Sequence, residues 1–105
     1  MKSPEWRSKP KFLNTVINRT VVEGEMVQLT CEVDGTPHPV IRWKKNSQNL
    51  TKDHRVTVKE SRLESVVRIN KVSKLDQGRY TCTAYNGVGT TISSHGWLFV
   101  NPRGK

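Results

Sequence analysis

Two cysteines, three histidines and a surplus of lysine and arginine are the residues here with chemistry to offer. A zinc site needs three or four ligands, and His38, His54 and His95 fall on separate loops or strand ends, so no metal is expected. The sequence suggests no Ser-His-Asp or Cys-His set. Gly87 and Gly89, one residue apart, are too close together for a phosphate-cradling loop and fall in a hairpin. Neither catalysis nor a cofactor is expected. What remains is charge: 18 Lys and Arg against nine Asp and Glu give +9 and a pI near 10.0. Such a surplus keeps a surface soluble and self-repelling, or it fits an acidic partner: a sulfated glycan, an acidic protein surface, an anionic lipid or nucleic acid.

The elements that must carry these residues are short. A chain of 105 residues has room for one core, and no segment keeps a 3.6-residue apolar period for long. Val27, Leu29, Cys31 and Val33 alternate with polar residues, as on a strand with one buried face. The run ends at Asp34-Gly35-Thr36-Pro37-His38-Pro39, a turn-rich stretch. Val40 to Lys44 follows, with Ile41 and Trp43 inward and Arg42 and Lys44 outward. Val56 and Val58, then Val67 and Ile69, then Tyr80, Cys82 and Ala84 mark further strands, and Ile92 to Val100 the last. Lys11 to Leu13 and Thr20 to Val22 read as a split first strand. Eight or so short strands make an all-β sandwich or barrel. Cys31 and Cys82 both point inward, on strands that should face each other. They read as an inter-sheet disulfide, the alternative being two buried thiols acting as small hydrophobes. Residues 1–9 and 102–105 read as tails around a domain at 10–101, with Trp6 in the first tail. The longest apolar runs are a few residues, so no membrane insertion is expected. The first six residues lack a signal core, so a secreted parent would have lost its signal or been cut down; compartment is left open.

Three features go beyond a generic sandwich. Trp43 lies twelve residues after Cys31, and Tyr80 two before Cys82 within Asp76-Gln77-Gly78-Arg79-Tyr80-Thr81-Cys82. This pattern resembles immunoglobulin domains over about residues 10–100. The resemblance implies an immunoglobulin-like sandwich of two antiparallel sheets bridged by Cys31–Cys82, with Trp43 packed on the disulfide. It also implies a tyrosine corner at Tyr80 and a pairing of Asp76 with Arg55. The short gap between the strands at Trp43 and Val56 looks like the I-set class, as does Val22-Glu23-Gly24-Glu25. Gly35 to Trp43 is similar to receptor tyrosine kinase ectodomains of the ROR and FGF-receptor types, and Asn86-Gly87 and Ser93 to Val100 are especially similar to the ROR-type domain. Lys9-Pro10-Lys11-Phe12 with Val21 to Gly24 is similar instead to cytoskeletal muscle-type modules. The stretch from Asn86 to Val100 is one residue longer than usual in either group, and a bulge near Gly96 would absorb it.

On this framework Lys44, Lys45 and Arg79 should gather at one end of the sheet with Lys71 and Lys74. Arg42 would extend the set along the face, with Lys52 nearby, while Glu32, Glu60 and Glu64 fall elsewhere. The plainer alternative is scattered lysines that only keep the domain soluble. If Leu98 and Val100 point inward, Trp97 and Phe99 point out and could anchor a partner; otherwise Trp97 packs locally. Asn18-Arg19-Thr20 and Asn49-Leu50-Thr51 are glycosylation sequons, little above chance in a chain this rich in Asn, Ser and Thr. Together with an intact cysteine pair they point toward secretion. The expected function is a non-catalytic extracellular receptor module engaging a protein ligand, a neighbouring domain or heparin and heparan sulfate. The alternatives are an intracellular cytoskeletal module binding actin, and a spacer that only connects its neighbours. Nucleic acid is not expected as a partner.

Overall fold

Inward-facing residues at every second position decide the architecture of the computed structural model, which describes residues 6–104. Among the described residues nine strands form: β1 (Ser8–Asn14), β2 (Arg19–Val22), β3 (Val27–Thr36), β4 (Val40–Lys45), β5 (Gln48–Asn49), β6 (Val56–Glu60), β7 (Glu64–Ile69), β8 (Gly78–Tyr85) and β9 (Ile92–Asn101). A 3-10 turn, Lys74–Asp76, precedes β8. One sheet has the order β1-β3-β7-β6 and the other β2-β9-β8-β4-β5. All pairings are antiparallel except that of β2 with β9.

The core lies between the sheets, because each strand turns its apolar residues one way. Val27, Leu29, Cys31 and Val33 from β3 and Val67 and Ile69 from β7 meet Tyr80, Cys82 and Ala84 from β8 and Leu98 and Val100 from β9. The Cys31–Cys82 disulfide crosses this layer, joining residues 51 apart in sequence. In the chain-entropy picture, closing a loop of that size stabilises the fold by about 4 kcal/mol. That is a large contribution for a chain only 33% hydrophobic.

The split first strand forms as the pattern foretold, and its two halves belong to different sheets. Residues 15–18 carry the chain across. Val16 is buried there and its N–H donates to Ser94 Oγ at 3.1 Å. This crossing explains Gly96: a Cβ on it would sit 2.7 Å from the Ile17 carbonyl oxygen. The expected bulge at Gly96 does not form. Pairing of β8 with β9 runs unbroken from Gly78 opposite Leu98 to Ala84 opposite Ile92. The two strands are joined by the loop at residues 86–91, where Gly87 and Gly89 have φ of 81° and 72°.

Candidate functional site

The end of the sandwich from which β8 starts is fixed by a buried polar cluster. Asp76 accepts two hydrogen bonds from the Arg55 guanidinium, at 3.0 and 3.3 Å, and one from the Ser73 N–H at 2.8 Å. The Tyr80 hydroxyl donates back to the Asp76 carbonyl at 2.6 Å, closing the tyrosine corner. Burial, and then the nearby Asp76 carboxylate, push the Tyr80 phenol well above its ordinary pKa. Beside it, Asp53 accepts from the N–H groups of Arg55 and Val56, and these bonds hold its carboxyl below the usual range. Trp43 lies beside the disulfide layer: it pairs with Cys82 across β4 and β8, and its indole N–H donates to buried Ser65 Oγ at 2.8 Å. Ser65 was missed in the sequence, although it shares the inward phase of Val67 and Ile69.

On this frame, the outer face of the five-stranded sheet is built in rows. Arg42 lies opposite Thr83, which lies opposite Ser93; Lys44 lies opposite Thr81, which lies opposite His95; Arg79 lies opposite Trp97. Two residues of strand separate successive rows by about 7 Å, so Arg42, Lys44 and Arg79 step down the sheet row by row. The Arg79 guanidinium is braced by Ser47 Oγ at 2.8 Å, and its backbone N–H donates to Asn46 Oδ1 at 2.9 Å. The same asparagine fills the space where a Cβ on Gly78 would sit, 2.8 Å away. None of the outward positions of β2, β4, β5, β8 and β9 is an Asp or Glu. Glu32 and Glu64 belong to the other sheet.

The remaining predicted cations separate. Lys45 has the inward phase of Trp43; its ammonium donates to the Leu75 carbonyl and lies 5.9 Å from the Tyr80 ring centroid. Lys74 donates to the Val100 carbonyl at 3.0 Å. Both ammonium groups are thus tied to backbone carbonyls. Lys71, with φ of 50°, lines a hollow with Gly24, Met26 and His54 and does not join Lys44 and Arg79. Lys52 lines a cleft of about 280 Å³ with Arg42, and Glu60 lines it too. His95 is an internal residue of β9 and not a strand end. Among the described residues no group of His, Cys, Asp and Glu could hold a metal ion, and no helix is long and apolar enough to cross a membrane.

Trp97 and Phe99 do face outward, 44% and 42% exposed, with Leu98 and Val100 inward. Their rings lie nearly parallel, 13° apart in plane and 6.3 Å between centroids. Asn18 and Asn49 are both exposed, Asn18 just before β2 and Asn49 on the edge strand β5 opposite Lys44. Trp6 is exposed, with the Arg7 guanidinium 5.4 Å from its ring centroid.

A two-sheet sandwich with this disulfide, indole and tyrosine corner defines an immunoglobulin-type domain, and comparison with known proteins agrees. The family model for the immunoglobulin I-set domain matches residues 10–95, and the chain belongs to that family. It is 40% identical over 86 residues to human Roundabout homolog 2, covering 82% of this chain and 6% of that protein. It is 40% identical over 95 residues to human peroxidasin homolog, covering 90% and 6%. It is 34% identical over 92 residues to human fast-type myosin-binding protein C, covering 88% and 8%. The chain therefore spans less than a tenth of each of these relatives. Among solved structures, a complex of titin M10 with an obscurin-like 1 Ig domain superposes with a TM-score of 0.88 at 28% identity, covering 94% of this chain and 99% of that one. Tandem Ig repeats of Dlar give 0.82 at 32%, covering 89% and 48%. The fold is that of a protein-interaction module, and its relatives include both extracellular and intracellular muscle proteins.

Proposed function

We propose that this chain is a non-catalytic recognition module of an extracellular receptor or adhesion protein, binding an acidic partner, foremost a sulfated glycan, through the outer face of its five-stranded sheet. The observation that carries the reading is charge segregation. Arg42, Lys44 and Arg79 occupy consecutive rows of a face without a single outward carboxylate. Flat, solvated cations bind a polyanion by displacing its counterions, so affinity falls steeply with salt. The disulfide and the exposed positions of both sequons support the extracellular setting, as do the relatives at 40% identity.

The test is elution from immobilised heparin. Replacing Arg42, Lys44 and Arg79 together by Ala should lower the eluting salt concentration far more than replacing Lys11, Lys59 and Arg68, which lie on the other sheet. Equal effects from the two sets would remove the assignment. The likeness to myosin-binding protein C favours a second reading, a cytoskeletal module whose same face binds acidic actin filaments. A free-thiol assay with a glycosidase mobility shift on protein from its native cell separates them. Bound glycan excludes the cytoskeletal reading, and two free thiols count against the extracellular one.

A further inference from the structure

The aromatic shelf of Trp97 and Phe99 and the first sequon are neighbours. β2 runs parallel to β9 with Thr20 opposite Phe99. One residue before β2, Asn18 places its Oδ1 2.8 Å from the Trp97 N–H and accepts its hydrogen bond. The side-chain amide thus continues the sheet ladder for one more rung and is held against the residue that carries the indole. The Trp97 N–H requires an oxygen there, so the amide nitrogen Nδ2 is the atom left on the other side. Asn18 is exposed, and no hydrogen bond to that nitrogen is found among the described residues.

We infer that Asn18 carries an N-linked glycan whose first N-acetylglucosamine packs over the Trp97–Phe99 shelf. The claim rests on the extracellular reading above. In the attachment step, Nδ2 forms a bond to C1 of the sugar and loses a proton. The bond from C1 to the diphosphate of a lipid-linked oligosaccharide donor breaks, and the lipid diphosphate leaves with the electron pair. Oδ1 is untouched, so the hydrogen bond from Trp97 survives modification and fixes the direction in which the sugar leaves the chain. The apolar face of a pyranose ring then covers two nearly parallel rings that otherwise face water on a soluble domain. Thr20, the third residue of the sequon, is exposed on the same side as Phe99. Asn49, the other sequon, lies at the opposite edge beside Lys44 with no such shelf. The glycan of Asn18 would cover the aromatic edge of the sheet up to Arg79, which lies opposite Trp97, and leave Arg42 and Lys44 open.

The experiment sends this chain through the secretory route of cultured animal cells behind a cleavable signal, as wild type and as Asn49→Gln. Glycopeptide mapping of the wild type, and the intact mass of Asn49→Gln, should both show Asn18 occupied. After trimming to a single N-acetylglucosamine, the acetyl methyl resonance should lie upfield through the ring current of Trp97 and move back toward its free position in Trp97→Leu. Asn18 unoccupied in folded, secreted protein overturns the inference. So does an acetyl methyl resonance that Trp97→Leu leaves unmoved. Both readouts are independent of heparin elution and of the native compartment, so failure of the basic-face reading and failure of this one are distinguishable.

Discussion

The hydroxyl of Tyr80 closes a turn of four residues onto the Asp76 carbonyl, and nothing else in the buried cluster replaces that donor. Tyr80→Phe should therefore cost about 1–3 kcal/mol, the price of an unsatisfied buried carbonyl, measurable by urea unfolding. The same phenol gives a pH dependence with a definite sign. Its pKa is raised in the folded state, so its contribution is fully present below about pH 10, the ordinary tyrosine value. It falls as pH rises above that, because the unfolded chain ionises first. Tyrosinate absorbance should reveal a phenol that ionises only with unfolding, and Tyr80→Phe should remove it. At this scale the sequence was partly legible. Trp43, Tyr80, Asp76 and Arg55 were found because family spacing names them, and their bonds follow from their types. Ser65 passed unnoticed because a serine between strand residues looks like outward filler. Only the need of a buried indole for an acceptor singles it out. The cations were legible as residues but not as a site: strand phase sets Lys45 inward, and the ties of Lys45 and Lys74 to backbone carbonyls appear only in three dimensions.

Strand phase, read from alternation alone, placed nearly every core residue and the outward pair Trp97 and Phe99. Strand length was a poorer guide. One surplus residue between Asn86 and Val100 could sit in a bulge or in the hairpin loop, and counting cannot choose. The choice is made by residues 15–18, which cross between sheets so close to Gly96 that the strand must run straight beneath them. Gly96→Ala should therefore destabilise by about 1–3 kcal/mol, as overpacking does. The loss should fall on the crossing segment, with faster amide hydrogen exchange at Val16 and through β2. Exchange confined to the hairpin at residues 86–91 would contradict this account of the glycine.

At the scale of the whole molecule, a chain one-third hydrophobic relies on its cross-link. Reducing Cys31–Cys82 should lower unfolding stability by about 4 kcal/mol, and the loss in urea midpoint on adding reductant checks it. The sandwich itself is indifferent to its partner: its relatives share the framework and differ in setting. Recognition must come from the surface, where the two sheets differ in charge. The most direct test is a titration of isotope-labelled protein with a heparin oligosaccharide, followed by amide chemical shifts. The expected perturbations map to Arg42, Lys44, Thr81, Thr83 and Arg79 on β4 and β8. Perturbations centred on β3, β6 and β7, or none at low salt, would contradict the assignment of the five-stranded sheet as the binding face.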